Sequence, residues 1–142
     1  MKKNKVSINI ISSFNHTNFV SLLKNSSNFD WEVYGSDYNQ VFQILTNSNA
    51  EIWKHRSNVT LVWTTPESIS PEFQKLQNKN EANSDIIKKD VDYFCSCIRA
   101  IKKYSDIVLI PNWIPKQPNE GSLAFAYTKS FGLEYNLSFM NY

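Results

Sequence analysis

The stretch that decides the fold is INIISSFNHTNF, residues 8–19. An apolar run ends at two serines, Ser12 and Ser13, and a helical pattern begins a few residues later. A strand that passes directly into a helix is the opening of an α/β fold. Ligands bind at the carboxyl ends of the strands in open sheets of this kind. Ser12 or Ser13 is therefore either a nucleophile or a turn and capping residue.

The composition indicates a globular chain. Of its 142 residues, 42% are hydrophobic and 14% are aromatic, which is enough for one packed core. We therefore expect residues 1–142 to form a single domain. The net charge is +2, with basic and acidic residues interspersed, and this gives no reason to expect a nucleic-acid partner.

The N-terminus has the near alternation of a strand and lacks the cleavage site of a secretory signal. No run reaches the roughly 18 apolar residues that a membrane span needs. We therefore expect a cytoplasmic protein without a membrane partner.

Hydrophobic periodicity divides the chain into alternating strands and helices. Strands are predicted at residues 5–12, 30–35, 59–63 and 105–114, and helices at 19–23, 37–56 and 84–104 and from Ser122 onward. Residues 64–83 have two prolines and no apolar period, which predicts a long mobile loop beside the functional edge. The alternation requires a mainly parallel sheet covered on both faces, that is, a three-layer α/β/α sandwich.

The clearest helix is the one at residues 84–104. Its predicted apolar stripe consists of Ile87, Val91, Phe94, Cys95, Ile98 and Ile101. Cys95 and Cys97 are one residue apart within it, which is neither a redox-pair nor a zinc spacing. We expect both cysteines to be buried or half-buried free thiols.

The carboxyl ends of the four predicted strands bring polar and aromatic residues to one edge of the sheet. The candidates for ligand binding are Asn15, Gly35, Asp37, Asn39, Trp63 and Asn112. A structural role is the alternative for several of them. Ser13, Asn15 and Asp37 are typical helix-capping residues, and Trp63 is typical of the rim of a core.

Several common motifs are absent from the sequence. With three glycines in total there is no glycine-rich phosphate loop. Asp90-Val91-Asp92 matches the sequence pattern of a phosphatase D-x-D motif. It lies inside a predicted helix, however, where its carboxylates point about 200° apart. His16 and His55 lack the spacing of a helical metal site. We therefore expect neither a metal site nor a cofactor.

Longer stretches resemble a known family. The strand ending in Ser12-Ser13-Phe14, the segment Asp37-Tyr38-Asn39-Gln40, the segment Asn49-Ala50-Glu51-Ile52-Trp53 and the pair Pro66-Glu67 are similar to motifs of the N-terminal domain of FkbH-like proteins. The resemblance covers most of residues 5–114. It implies an SGNH-hydrolase-like, flavodoxin-like fold placed before a haloacid-dehalogenase-type domain.

The resemblance also implies a function. In FkbH-like proteins the haloacid-dehalogenase-type domain dephosphorylates a glyceryl donor and helps to load the glyceryl group onto a carrier protein. That domain is not in this sequence, so we expect a non-catalytic accessory domain of a biosynthetic transferase- or phosphatase-type protein. The chain also stops after a helix where another strand is expected, which predicts that it is the N-terminal part of a longer protein. The expected partners are the haloacid-dehalogenase-type domain or an acyl carrier protein.

The alternative function is an SGNH- or GDSL-type esterase or acyltransferase that uses Ser12 or Ser13. That chemistry needs oxyanion donors and a base. Gly35 offers one backbone N–H, but no oxyanion asparagine follows the third strand and no late D-x-x-H follows at all.

The last residues, 133–142, carry a large apolar load. Burial of each such side chain is worth about 1.5–3 kcal/mol, so we expect the segment to pack on its own sheet or in a homodimer.

Overall fold

β1 (Asn4–Ser12) lies inside a sheet of four parallel strands in the computed structural model. It pairs with β2 (Phe29–Gly35) on one side and β3 (Ser57–Trp63) on the other, and β4 (Ser105–Leu109) follows β3. The strand order is therefore β2-β1-β3-β4. This confirms the predicted parallel sheet.

The structure describes residues 4–26, 28–78, 80–113, 137–138 and 140–141. The chain divides into two compact units, Met1–Thr64 with Cys97–Pro111 and Thr65–Ser96 with Asn112–Tyr142. All four strands belong to the first unit. That residues 1–142 form one domain stays a prediction.

One face of the sheet is covered by α1 (Thr17–Lys24). A cluster of Ile8, Ile10 and Leu61 packs against α1. The α1 residues in this contact are Phe19, Val20 and Leu23. This contact forms because neighbouring parallel strands present their alternate side chains to the same face.

The opposite face of the sheet is covered by α2 (Val41–Thr46) and by a 3-10 turn, Glu51–Trp53. Asn9 is fully buried in β1, and its Nδ2 donates to the carbonyl of Ile52 over 3.2 Å. Ile10, Ile11 and Ser12 of β1 have 0% exposure, as expected for a strand buried on both faces. The fold is the predicted three-layer α/β/α sandwich.

The helix predicted over residues 37–56 is shorter than expected. α2 ends at Thr46, and the side-chain oxygen of Asn47 accepts the backbone N–H of Asn49 over 3.0 Å. Asparagine competes with helical hydrogen bonding in this way, so the apolar spacing alone predicted too long a helix. The 3-10 turn is fixed by Trp53, whose indole N–H donates to the carbonyl of Ile44 and whose ring stacks on Tyr104.

A buried hydroxyl cluster joins β3 to β4. Ser57 Oγ lies 2.8 Å from Ser105 Oγ, and Thr60 Oγ1 is hydrogen-bonded to the same Ser105 hydroxyl. All three residues are at most 4% exposed. Buried hydroxyls need such partners, so the cluster fixes this pair of strands.

In the second unit, the prediction of a loop over residues 64–83 is wrong. α3 (Pro66–Ile69) and α4 (Pro71–Gln77) form there. Each proline takes the first helical position, where its missing N–H costs nothing, so the prolines start helices instead of breaking them. The buried apolar residues of this segment are Ile69, Phe73 and Leu76.

α5 (Ser84–Ile101) confirms the predicted long helix, although a 3-10 turn, Lys102–Tyr104, replaces its last three residues. The predicted stripe is buried at Ile87, Phe94, Ile98 and Ile101 and half-buried at Val91 and Cys95. Cys97 is 6% exposed, and both cysteines are free thiols as expected.

The end of the chain is described at only four positions. Leu137 and Met140 are 5% and 4% exposed, which confirms burial for these two residues. The amide of Asn141 accepts the N–H of Trp113 and donates to the carbonyl of Trp113, over 2.8 and 2.9 Å. The helix predicted from Ser122 lies outside the described residues. Among those that are described, no helix is both long and apolar enough to cross a membrane.

Candidate ligand-binding cleft

The turn after β1 is closed by its own hydrogen bonds. Ser12 Oγ donates to the carbonyl of Phe14 over 2.7 Å and accepts the N–H of Phe14 over 3.1 Å. The backbone N–H of Ser13, within the same turn, donates to the carbonyl of Trp63. Ser12 is fully buried, so its hydroxyl holds the turn in this conformation.

Two other predicted site residues have structural contacts near this turn. Asn15 Oδ1 accepts the backbone N–H of Thr17 over 2.9 Å, the local hydrogen bond expected of a residue at a helix start. Trp63 packs edge-on against the rings of Phe14 and Phe19, with centroids 4.9 and 5.4 Å away. The space where β1 and β3 end is therefore occupied by aromatic side chains.

The carboxyl end of β2 is different, because an open cleft of about 740 Å³ lies between it and α2. The first lining group comes from β2 and its following loop: Val33, Tyr34, Gly35, Ser36 and Asp37. The second comes from α2 and the segment after it: Gln40, Gln43, Ile44, Asn47, Ala50, Glu51 and Ile52. The cleft thus has both apolar and polar lining residues, a combination typical of ligand sites.

The structure brings Gly35 and Asp37, of the predicted site residues, to this cleft. Asn39 lies on the same loop and has a positive φ of 58°, a conformation that asparagine tolerates better than most residues. Asn112 belongs to the second unit, where it precedes the buried Trp113.

Sequence reasoning missed Ser36, which lines the cleft. Its backbone N–H donates to the carbonyl of Ile10 over 2.8 Å, while its Oγ is buried without a hydrogen-bond partner among the described residues. An unpaired buried hydroxyl costs about 1–3 kcal/mol, so such groups mark places where a partner is missing. The signal in the sequence was its position, directly after the glycine that ends β2.

Gly35 lies against a histidine that sequence reasoning considered only as a metal ligand. An ideal Cβ at Gly35 would lie 2.6 Å from Nε2 of His16. The Nδ1 of the same ring is buried without a hydrogen-bond partner in the described part of the chain. Gly35 therefore lets the His16 ring approach the backbone at the end of β2.

Tyr34, which lines the cleft, belongs to a network of charged and aromatic side chains. Lys5 Nζ lies 3.1 Å from Glu32 Oε2, and Glu32 also pairs with the Tyr34 hydroxyl. The hydrogen bond from Tyr34, followed by the one from Lys5, lowers the pKa of Glu32, and the bond to Glu32 raises the pKa of Tyr34. The Tyr34 ring stacks on His55 at 6.0 Å. The network orients Tyr34 at the edge of the cleft.

Of the described residues that line the cleft, Asp37 and Glu51 are carboxylates and none is a lysine or an arginine. Glu51 is 3.0 Å from Lys54, an exposed pair beside the cleft. Within the described residues, no group of three or more His, Cys, Asp or Glu side chains is placed to hold a metal ion. Asp90, of the rejected D-x-D motif, accepts a hydrogen bond from Ser70 over 2.6 Å.

The first unit is therefore a parallel three-layer α/β/α fold with a polar cleft where β2 ends. No family model and no curated protein matches the sequence. The fold is similar to a solved structure described as the N-terminal part of the protein BF1531 from Bacteroides fragilis, containing a phosphatase domain complexed with Mg. The TM-score is 0.74 at 16% identity, over 99% of this chain and 36% of that chain. This chain thus spans just over a third of that protein's described length, and the likeness is one of fold.

Proposed function

We propose that this chain is a non-catalytic accessory domain of an FkbH-like protein of the glyceryl-transfer or phosphatase type, and that its cleft binds a ligand or a carrier protein. The observation that carries the proposal is the fold likeness to the N-terminal part of a protein described with a phosphatase domain. It agrees with the sequence motifs that resemble FkbH-like proteins. The haloacid-dehalogenase-type domain and an acyl carrier protein are the partners in this proposal.

The geometry of the turn after β1 supports a non-catalytic role. A serine nucleophile needs a hydroxyl that can reach a substrate and a base that takes its proton. Ser12 Oγ instead both donates to and accepts from the backbone of Phe14, and the residue is fully buried. The esterase alternative therefore depends on Ser13, which is 8% exposed.

The test of the non-catalytic role is a covalent label. The chain is incubated with p-nitrophenyl acetate and, separately, with a fluorophosphonate probe that reacts with activated serines. We expect no turnover above that of a Ser13→Ala variant and no labelled peptide containing residues 12–13. A labelled Ser13 together with turnover lost in Ser13→Ala would establish the esterase instead.

The test of binding uses the phosphopantetheine-loaded form of an acyl carrier protein, measured by calorimetry. We expect Gln43→Glu, which adds a third carboxylate to the cleft lining, to weaken binding of the phosphodiester-bearing carrier. Gln74→Glu is the matched control, because Gln74 is an exposed residue of α4 that does not line the cleft. Equal binding by the two variants would place the carrier protein elsewhere on the molecule.

A further inference from the structure

We infer that the cleft beside β2 binds an uncharged polyhydroxylated ligand, of the size of a monosaccharide, and discriminates against its phosphorylated form. This deepens the proposed function, since it rests on the same cleft and names the class of its ligand. The inference depends on the charges of the lining residues, on their free hydrogen-bonding groups and on the buried Ser36 hydroxyl.

The cleft carries negative charge. Of its described lining residues, Asp37 and Glu51 are acidic and none is a lysine or an arginine. The nearest lysine in sequence, Lys54, is paired with Glu51 over 3.0 Å. A phosphate group needs cationic side chains or a cluster of backbone N–H donors, and it is repelled by carboxylates. The cleft therefore disfavours a phosphorylated ligand.

The cleft also offers hydrogen-bonding groups to a ligand. The side chains of Asp37, Gln40 and Gln43 line the cleft and have no hydrogen-bond or ion-pair partner within the described residues. A carboxylate accepts at two oxygens, and each amide both donates and accepts. Neighbouring hydroxyl groups of a polyol offer the complementary set, because each also donates and accepts. The side-chain oxygen of Asn47 accepts the N–H of Asn49, so only its amide N–H₂ is left to donate to a ligand.

The Ser36 hydroxyl is a further group that a ligand can satisfy. Its Oγ is buried and has no hydrogen-bond partner among the described residues, although Ser36 lines the cleft. A ligand hydroxyl would satisfy it and remove the cost of the unpaired group. Tyr34 and the apolar residues Val33, Ile44 and Ile52 supply the surface against which the C–H face of such a ligand packs.

The test is a matched pair of probes, D-glucose and D-glucose 6-phosphate, titrated into the ¹⁵N-labelled chain and followed by two-dimensional NMR. We expect glucose to shift the amide signals of Ser36, Gln40 and Gln43 with a millimolar dissociation constant, because a small ligand in an open cleft gains few contacts. We expect the phosphate to bind at least about fivefold more weakly at low salt because of the two carboxylates.

We expect two variants of cleft residues to change glucose binding, each compared with a matched control outside the cleft. Ser36→Ala lowers the affinity for glucose, whereas Ser21→Ala, an exposed serine of α1, leaves it unchanged. Asp37→Asn narrows the difference between the two probes, whereas Asp30→Asn, an exposed aspartate of β2 outside the cleft, does not.

Tighter binding of the phosphate, glucose shifts that lie outside the cleft, or no shifts with either probe would each overturn this inference. Binding of the carrier protein is measured separately. A failure of the sugar experiment therefore does not decide the proposed function, and a failure to bind the carrier does not decide this inference.

Discussion

Nε2 of His16 lies 2.6 Å from the point where a Cβ on Gly35 would be. The start of α1 and the end of β2 therefore lie close together because Gly35 has no side chain. Gly35 has no positive φ, so space and not backbone conformation is the reason for glycine here.

We predict that Gly35→Ala forces the His16 ring out of its position. The contact is with the tip of a side chain that can rotate, so the cost is about 0.5–1.5 kcal/mol, that of an unfavourable rotamer. Thermal unfolding measures the cost, and the imidazole NMR signals of His16 report the movement. In a His16→Ala background the same substitution should cost close to nothing, and an equal cost in both backgrounds would contradict the contact.

Ser105→Ala should destabilise the first unit by about 1–3 kcal/mol, because the hydroxyls of Ser57 and Thr60 lose a buried partner. Denaturant unfolding gives the change in free energy. Ser21→Ala is the matched control, an exposed hydroxyl whose removal should change stability by less than about 0.5 kcal/mol. Equal effects of the two variants would mean that the buried cluster contributes nothing.

Asp90→Ala should destabilise the second unit by about 1–3 kcal/mol, because Ser70, at 0% exposure, loses the acceptor of its hydroxyl. Asp92→Ala, two residues along the same helix and exposed, should have an effect within about 0.5 kcal/mol. Thermal unfolding of the two variants distinguishes a structural aspartate from one half of a metal-binding pair. If removing divalent cations lowered the stability of the wild-type chain, this result would contradict the structural role of Asp90.

Arg56→Gln should raise the pKa of Asp106. Arg56 donates to Asp106 Oδ1 from Nε and Nη2, over 3.1 and 3.0 Å, and these bonds are the main cause of the lowered pKa, with Asn58 second. A lowered carboxyl pKa contributes stability above the unfolded pKa, and the contribution is lost as the pH falls through the folded pKa.

The acid limb of the wild-type stability curve should therefore be steeper than that of Arg56→Gln. At neutral pH the wild-type chain should be more stable than Arg56→Gln by a small margin, since the pair is exposed, and the two should converge as the pH falls. An NMR titration of Asp106 measures the pKa, with Lys54→Gln as a control because Lys54 pairs with Glu51 and not with Asp106. An unchanged pKa in Arg56→Gln would show that the pair does not form in solution.

The sequence predicted the sheet and the long helix well because their signals are local. Continuous apolar runs mark strands buried on both faces, and the stripe from Ile87 to Ile101 has the period of a helix. The sequence does not predict the helices within residues 66–77, because Pro66 and Pro71 have the pattern of helix breakers. Whether a proline starts or breaks a helix depends on its position, and position is fixed by packing such as that of Phe73, which is 1% exposed.

The candidate site was predicted less well than the fold. The rule that ligands bind at the carboxyl ends of strands points to Gly35 and Asp37, and these two residues do line the cleft, while their binding of a ligand stays a prediction. The rule does not tell which strand end stays open. The ring of Phe14 on Trp63 fills the space beside β1 and β3, and such a contact between distant residues leaves no local pattern in the sequence.

The inner position of β1 also affects how the chain is made. Its hydrogen bonds to β3 join Ser7 to Asn58, residues 51 apart, so this side of the strand has no partner until β3 has left the ribosome. Ile8, Ile10 and Ile11, at most 5% exposed in the folded protein, are uncovered during that interval. Late pairing of this kind slows folding and exposes apolar strands to aggregation. The segment that decides the fold is therefore also the one that most needs protection while the protein is being synthesised.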